Sequence, residues 1–139
     1  MKTNLSLVKY LAVLLFFLTY LVINPTVQAQ VFINEIQSSN SRTITDDDGE
    51  FSDWIELYNN TSNEINLGHN FYLSDDKYFP KKWSFPEEVT LPGNGYLIVW
   101  ADNDIHQQGI HSGFMLEKDR GEILLTYENQ ETLDYINYG

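Results

Sequence analysis

Between residues 46 and 53, four of the five carboxylates, Asp46, Asp48, Glu50 and Asp53, are spaced around Gly49 as candidate ligands. Hard oxygen ligands on a chain that glycine lets bend can converge on calcium, and extracellular calcium modules bind in the weak range of about 10⁻⁴–10⁻³ M that such a loop would reach. The spacing is not that of an EF-hand, because Phe51 stands where the turn glycine belongs and no bidentate Glu follows at the required distance. The plainer reading is a solvated acidic loop in which Asp53 anchors the start of the next strand. The histidines are weaker candidates. His106 and His111 lie five apart in a polar stretch, a spacing that suits no single helix face, so a transition-metal pair competes with two surface side chains. His69, between Gly68 and Asn70, reads as a turn residue.

Other polar residues resolve into ordinary roles. Glu56 sits between Ile55 and Leu57, and on a strand it shares a face with Trp54, so it is either half-buried against Arg42 or Lys82 or simply solvated. Ser74-Asp75-Asp76 lacks the Gly-x-Ser-x-Gly elbow of a serine nucleophile and reads as a turn. No triad, metal-hydrolase signature or phosphate loop is present. Asn59-Asn60-Thr61 and Asn60-Thr61-Ser62 match the glycan acceptor pattern, which Asn-rich turns often do by chance. Trp54 and Trp100 are expected to be core filler; Trp83, flanked by Lys81, Lys82 and Ser84, stays open between core filler and an exposed binding platform.

The elements that must position these residues are strands. After residue 30 the chain shows short apolar and aromatic runs broken by Gly, Pro, Asn and Asp, with no sustained helical period. Strands are expected over Val31 to Ile36, with Ile33 and Ile36 as core contacts, and over Trp54 to Asn59, Ile65 to Leu67 and Phe71 to Ser74. Further strands fall at Trp83 to Phe85, Val89 to Leu91, Gly95 to Ala101, Phe114 to Leu116, Glu122 to Tyr127 and Thr132 to Tyr138. Gly95 to Ala101 is nearly all apolar and reads as buried on both faces or central. Pro92-Gly93-Asn94-Gly95 is a turn with Gly accepting positive φ, and residues 128–131 make a hairpin-length link. Strands at this density argue for an all-β sandwich.

Upstream, Lys2 and Lys9 precede an apolar run from Tyr10 to Ile23, then Asn24-Pro25 and the small-residue pair Val27 and Ala29. That is the layout of a secretory signal peptide over residues 1–29, a helical leader cleaved near Ala29-Gln30; the run is short for a retained membrane anchor. The absence of Cys excludes a lipid-anchored lipoprotein and leaves packing alone to hold an exported fold. Residues 30–139 make one domain, large enough to bury about 65% of its unfolded surface. Without Lys2 and Lys9 the net charge moves from −12 to −14. Such a surface repels nucleic acid and anionic lipid and favours cations or basic partners, or serves solubility alone.

Several segments also fall into a known order. Ile33-Asn34-Glu35-Ile36 precedes the acidic loop and Asp53-Trp54-Ile55-Glu56-Leu57-Tyr58-Asn59. Phe71-Tyr72-Leu73-Ser74-Asp75-Asp76, Lys82-Trp83-Ser84-Phe85-Pro86 and Leu91-Pro92-Gly93 follow, leading to Tyr96-Leu97-Ile98-Val99-Trp100-Ala101. This succession resembles the lamin tail domain in its bacterial secreted form, over nearly all of residues 31–138. The resemblance implies an immunoglobulin-like β-sandwich with no catalytic residues of its own, used as an interaction surface or as an accessory module beside hydrolases, phosphoesterases or kinase-like domains. The expectation is therefore a secreted, non-enzymatic module for protein or cell-surface partners, with no cofactor. Two alternatives stand beside it: a calcium-dependent module for a sugar or polymer, and a piece of a larger secreted hydrolase, since the chain stops at Gly139 directly after a strand.

Overall fold

The computed structural model describes residues 30–128 and 131–139. The leader expected over residues 1–29, and Asn129 and Gln130 in the 128–131 link, lie outside the described residues. Nine strands follow one another: β1 Val31–Gln37, β2 Trp54–Asn59, β3 Ile65–Asn66, β4 Phe71–Ser74, β5 Trp83–Ser84, β6 Thr90–Leu91, β7 Tyr96–Trp100, β8 Gly121–Tyr127 and β9 Glu131–Tyr138. They form a three-stranded sheet β1-β2-β7, a four-stranded sheet β5-β4-β8-β9 and a short pair β3-β6, all antiparallel between neighbours.

The period of two along each strand creates the core. Val31 and Ile33 of β1, Ile55 and Leu57 of β2 and Val99 of β7 face Phe71 and Leu73 of β4 and Ile123 and Leu125 of β8. Leu67, Phe85, Leu91, Ala101, Phe114 and Leu116 fill the ends of the same cluster. This is a two-layer immunoglobulin-like sandwich, closed without cysteine by aliphatic and aromatic packing.

A bulge explains a pattern that plain alternation forbids. Ile33 and Ile36 are three apart, yet Ile33 is buried in the core and Ile36 packs against it. Ile33 pairs with Leu57 and Ile36 with Ile55, with the register shifting between Ile33 and Glu35. The extra residue, Asn34, resets the alternation.

Three expectations need correction. Phe114 to Leu116 is not a strand; Met115 makes only an isolated bridge with Asp102, although Phe114 and Leu116 are buried. β7 is not central. It pairs with β2 on one side, Tyr96 is exposed, and the other side is met only near Trp100, whose N–H donates to Ile110 O at 2.8 Å while Ser112 N–H donates to Trp100 O at 2.7 Å. In the 92–95 turn the positive φ falls on Asn94, at 53°, and not on a glycine. Gly93 is required for a different reason: a Cβ there would stand 2.3 Å from Ser62 O.

Candidate functional site

The segment between β1 and β2 has no strand, so side chains must satisfy its backbone. Two do so. Asn40, buried, donates from Nδ2 to Ile44 O at 2.7 Å and Ser52 O at 2.9 Å, and its Oδ1 accepts the Thr43 N–H at 3.0 Å. Asp46, also buried, accepts the N–H groups of Asp48 at 3.0 Å and Glu50 at 2.8 Å on Oδ1, and the Ser52 hydroxyl at 3.3 Å on Oδ2. Gly49, at φ 84°, supplies the bend that closes the loop around Asp46.

The four candidate calcium ligands of this loop therefore have separate placements. Asp46 points inward. Asp48 and Glu50 are exposed, and Glu50 Oε2 accepts the Gln107 amide at 3.1 Å. Asp53 is half-buried and accepts the Asn40 N–H at 2.7 Å on Oδ1, the anchoring role read from the sequence. Burial raises its pKa, and the Asn40 N–H offsets part of that rise.

Among the described residues, the acidic and histidine side chains that do gather are Asp46, Asp102 and His111, with one ligand atom from each within 4.8 Å of the others. Two loops bring them together on the outer face of the three-stranded sheet. Ala101 N–H donates to Asp53 O at 2.7 Å, which ties the end of β7 to the acidic loop. The chain then turns through residues 102–110 and returns at His111 alongside Trp100. His111 is only 5% exposed, not the surface residue expected, whereas His106 is exposed. Its Nδ1 lies 3.1 and 3.0 Å from the two oxygens of Asp102, and its Nε2 lies 2.8 Å from Gln108 O. Burial pushes the imidazole pKa down. The Asp102 carboxylate, the Gln108 carbonyl and the Asp46 charge outweigh that, and the net direction is upward.

Sequence reading missed this set because Asp46 and His111 are 65 residues apart. The available signal was local: an Asp and a His nine apart after an apolar strand, on a segment with no strand of its own.

The remaining candidates take structural parts. Glu56 is half-buried and accepts from Asn34 Nδ2 at 2.7 Å, so its partner is the bulge residue and neither Arg42 nor Lys82. Ser74 and Asp76 close a turn through Ser74 Oγ, as expected, and Lys82 reaches Asp75 at 2.6 Å. Trp54 and Trp100 are buried and face each other across β2 and β7, on the side away from the inter-sheet core. Trp83 packs on Phe85 with ring centroids 4.7 Å apart. Asn59 is fully buried and bonds both sides of its turn, so of the two glycan patterns only Asn60 is exposed.

A second surface lies at the opposite kind of place, between β4 and β5. Tyr78 is 79% exposed and Phe79 67%, and with Asp76, Pro80, Lys81 and Lys82 they line a shallow open groove. Lys77, Lys81 and Lys82 are three of the six basic residues after residue 29. Lys81 lies 4.8 Å from the Tyr72 ring centroid, and its ammonium also donates to Glu128 O.

Two antiparallel sheets around one apolar core, with polar loops at the ends, define an immunoglobulin-like β-sandwich. The model of the Lamin Tail Domain family matches residues 24–139, and the chain belongs to that family. No curated protein gives a significant match to the chain.

Proposed function

We propose that this chain is a secreted, non-catalytic module that docks onto a protein or cell-surface partner through the loop between β4 and β5. The observation that carries the reading is the exposure of Tyr78 and Phe79 side by side, framed by Lys77, Lys81 and Lys82. Aromatic side chains that remain in water on a folded domain are a standing hydrophobic cost, and at interfaces such residues supply most of the binding energy. Lys82 pairs with Asp75 at 2.6 Å and Lys77 stands 3.7 Å from Glu122, so the rim of the groove carries both signs and suits a partner segment that brings an apolar side chain with polar flanks. Membership of the lamin tail family supports an interaction role. The charged start, apolar run and small-residue pair before Gln30 support export, and the acidic balance disfavours nucleic acid.

The test is capture of partners from secreted and envelope fractions, followed by affinity measurement with a Tyr78→Ser/Phe79→Ser variant. Loss of about tenfold or more in affinity with an unchanged melting temperature is expected, because both side chains are exposed. Undiminished capture by that variant would remove the loop from the interface.

A further inference from the structure

We propose that Asp46, Asp102 and His111 form a divalent transition-metal site, zinc in type, that staples the 38–53 loop to the 101–112 loop. The set is not an acidic patch: it combines two carboxylates with one buried imidazole nitrogen. His111 Nε2 faces the Gln108 carbonyl at 2.8 Å, so its N–H donates there and Nδ1 is turned toward the carboxylates. A metal-bound imidazole is held in the same way, its outer N–H donating to a backbone carbonyl. Ligands at about 2.0–2.2 Å from zinc stand roughly 3.0–3.5 Å from one another. Nδ1 and the Asp102 oxygens are already at 3.0 and 3.1 Å. The whole set lies within 4.8 Å, so closure onto an ion needs a movement of about 1.5 Å at most.

Charge argues the same way. Asp46 and Asp102 carry two negative charges against one imidazole, and among the described residues no Lys or Arg stands within 4.0 Å of either carboxylate. A buried charge without a counter-ion is costly. A protonated His111 leaves one negative charge over, whereas a divalent ion with neutral His111 leaves none.

The donor set also selects the ion. Calcium takes oxygen ligands, whereas imidazole with carboxylate suits zinc and its neighbours. Of the four residues read as calcium ligands, only Asp46 belongs to this set. The inference stands apart from docking through Tyr78 and Phe79, which lie on another loop.

The experiment is zinc titration of the chelator-treated full chain, read by competition with a chromophoric chelator and by melting temperature, with cobalt absorption as a probe of mixed nitrogen and oxygen ligation. One zinc per chain, a rise in melting temperature and no effect of millimolar calcium are expected. Asp102→Asn and Asp46→Asn, which keep the side-chain shape, should each weaken zinc by at least about tenfold, and His111→Gln should abolish the cobalt spectrum. A His69→Gln/His106→Gln variant should bind as before. Absent zinc binding, binding indifferent to Asp102→Asn and Asp46→Asn, binding lost with His69 and His106, or a response to calcium alone would each overturn the site and leave the cluster as an ion pair that locks two loops.

Discussion

Asn59 shows how much one polar side chain carries in a fold without disulfides. It is fully buried at the end of β2, donates to Asn63 O at 2.8 Å and Leu91 O at 3.1 Å, and accepts from the Thr61 N–H at 2.9 Å. Those bonds join the 59–63 turn to the 91–95 turn, where Gly93 packs directly on Ser62. Replacing it with Ala would leave several buried backbone groups unpaired. Asn59→Ala is expected to cost about 2–3 kcal/mol in chemical denaturation. A change below about 0.5 kcal/mol would mean that water takes over those bonds. The sequence showed an Asn-rich turn here; that its first Asn is a buried hub depends on a strand 32 residues away.

At the scale of elements, β1 is legible in composition but not in register. Its apolar residues at 33 and 36 break the period of two, and the extra Asn34 reconciles them with one core. The bulge has a side effect: Glu35 stands opposite Glu56, and Asn34 donates to Glu56 in compensation. Deleting Asn34 would restore regular alternation and turn either Ile33 or Ile36 toward solvent. A loss of about 2 kcal/mol is expected, against less than about 1 kcal/mol for Asn34→Gly, which keeps the residue count and removes only an exposed hydrogen bond. Equal losses from the two changes would show that the bulge does not set the register. Strands with strong apolar runs, β2, β4 and β8, were placed from sequence within a residue of their observed limits. Phe114 to Leu116 was misplaced because burial, not pairing, explains its apolar character.

For the whole molecule, acid and charge are the main levers. Glu122 on β8 accepts the Lys77 N–H at 3.0 Å and the Tyr135 hydroxyl at 2.9 Å, joining the aromatic loop to β9. The Lys77 backbone bond above all, with the Tyr135 bond and the Lys77 charge, holds its pKa below the ordinary 4.5, against the opposing effect of desolvation. A carboxyl with a depressed folded-state pKa contributes stability that is present above pH 4.5 and lost as pH falls through the lower value. Below pH 4.5 the Glu122→Gln variant should therefore lose less stability per pH unit than the parent, as melting temperature against pH would show. Identical acid limbs would assign the loss to other carboxylates. Above that range the net negative charge acts in the opposite sense, and added salt relieves the repulsion.

The amino-acid order alone determined the class of fold, most strand positions, the acidic balance and the family. These follow from local periodicity, turn chemistry and motif succession, which are properties of neighbours along the chain. Which side chains meet was decided only in three dimensions. Asp46, Asp102 and His111 come together because β2 and β7 pair and carry two distant loops onto one face, and Tyr78 and Phe79 stand exposed because, among the described residues, no other element covers their loop. Contacts of that kind depend on register and loop path, and neither is written in the spacing of residues within a single segment.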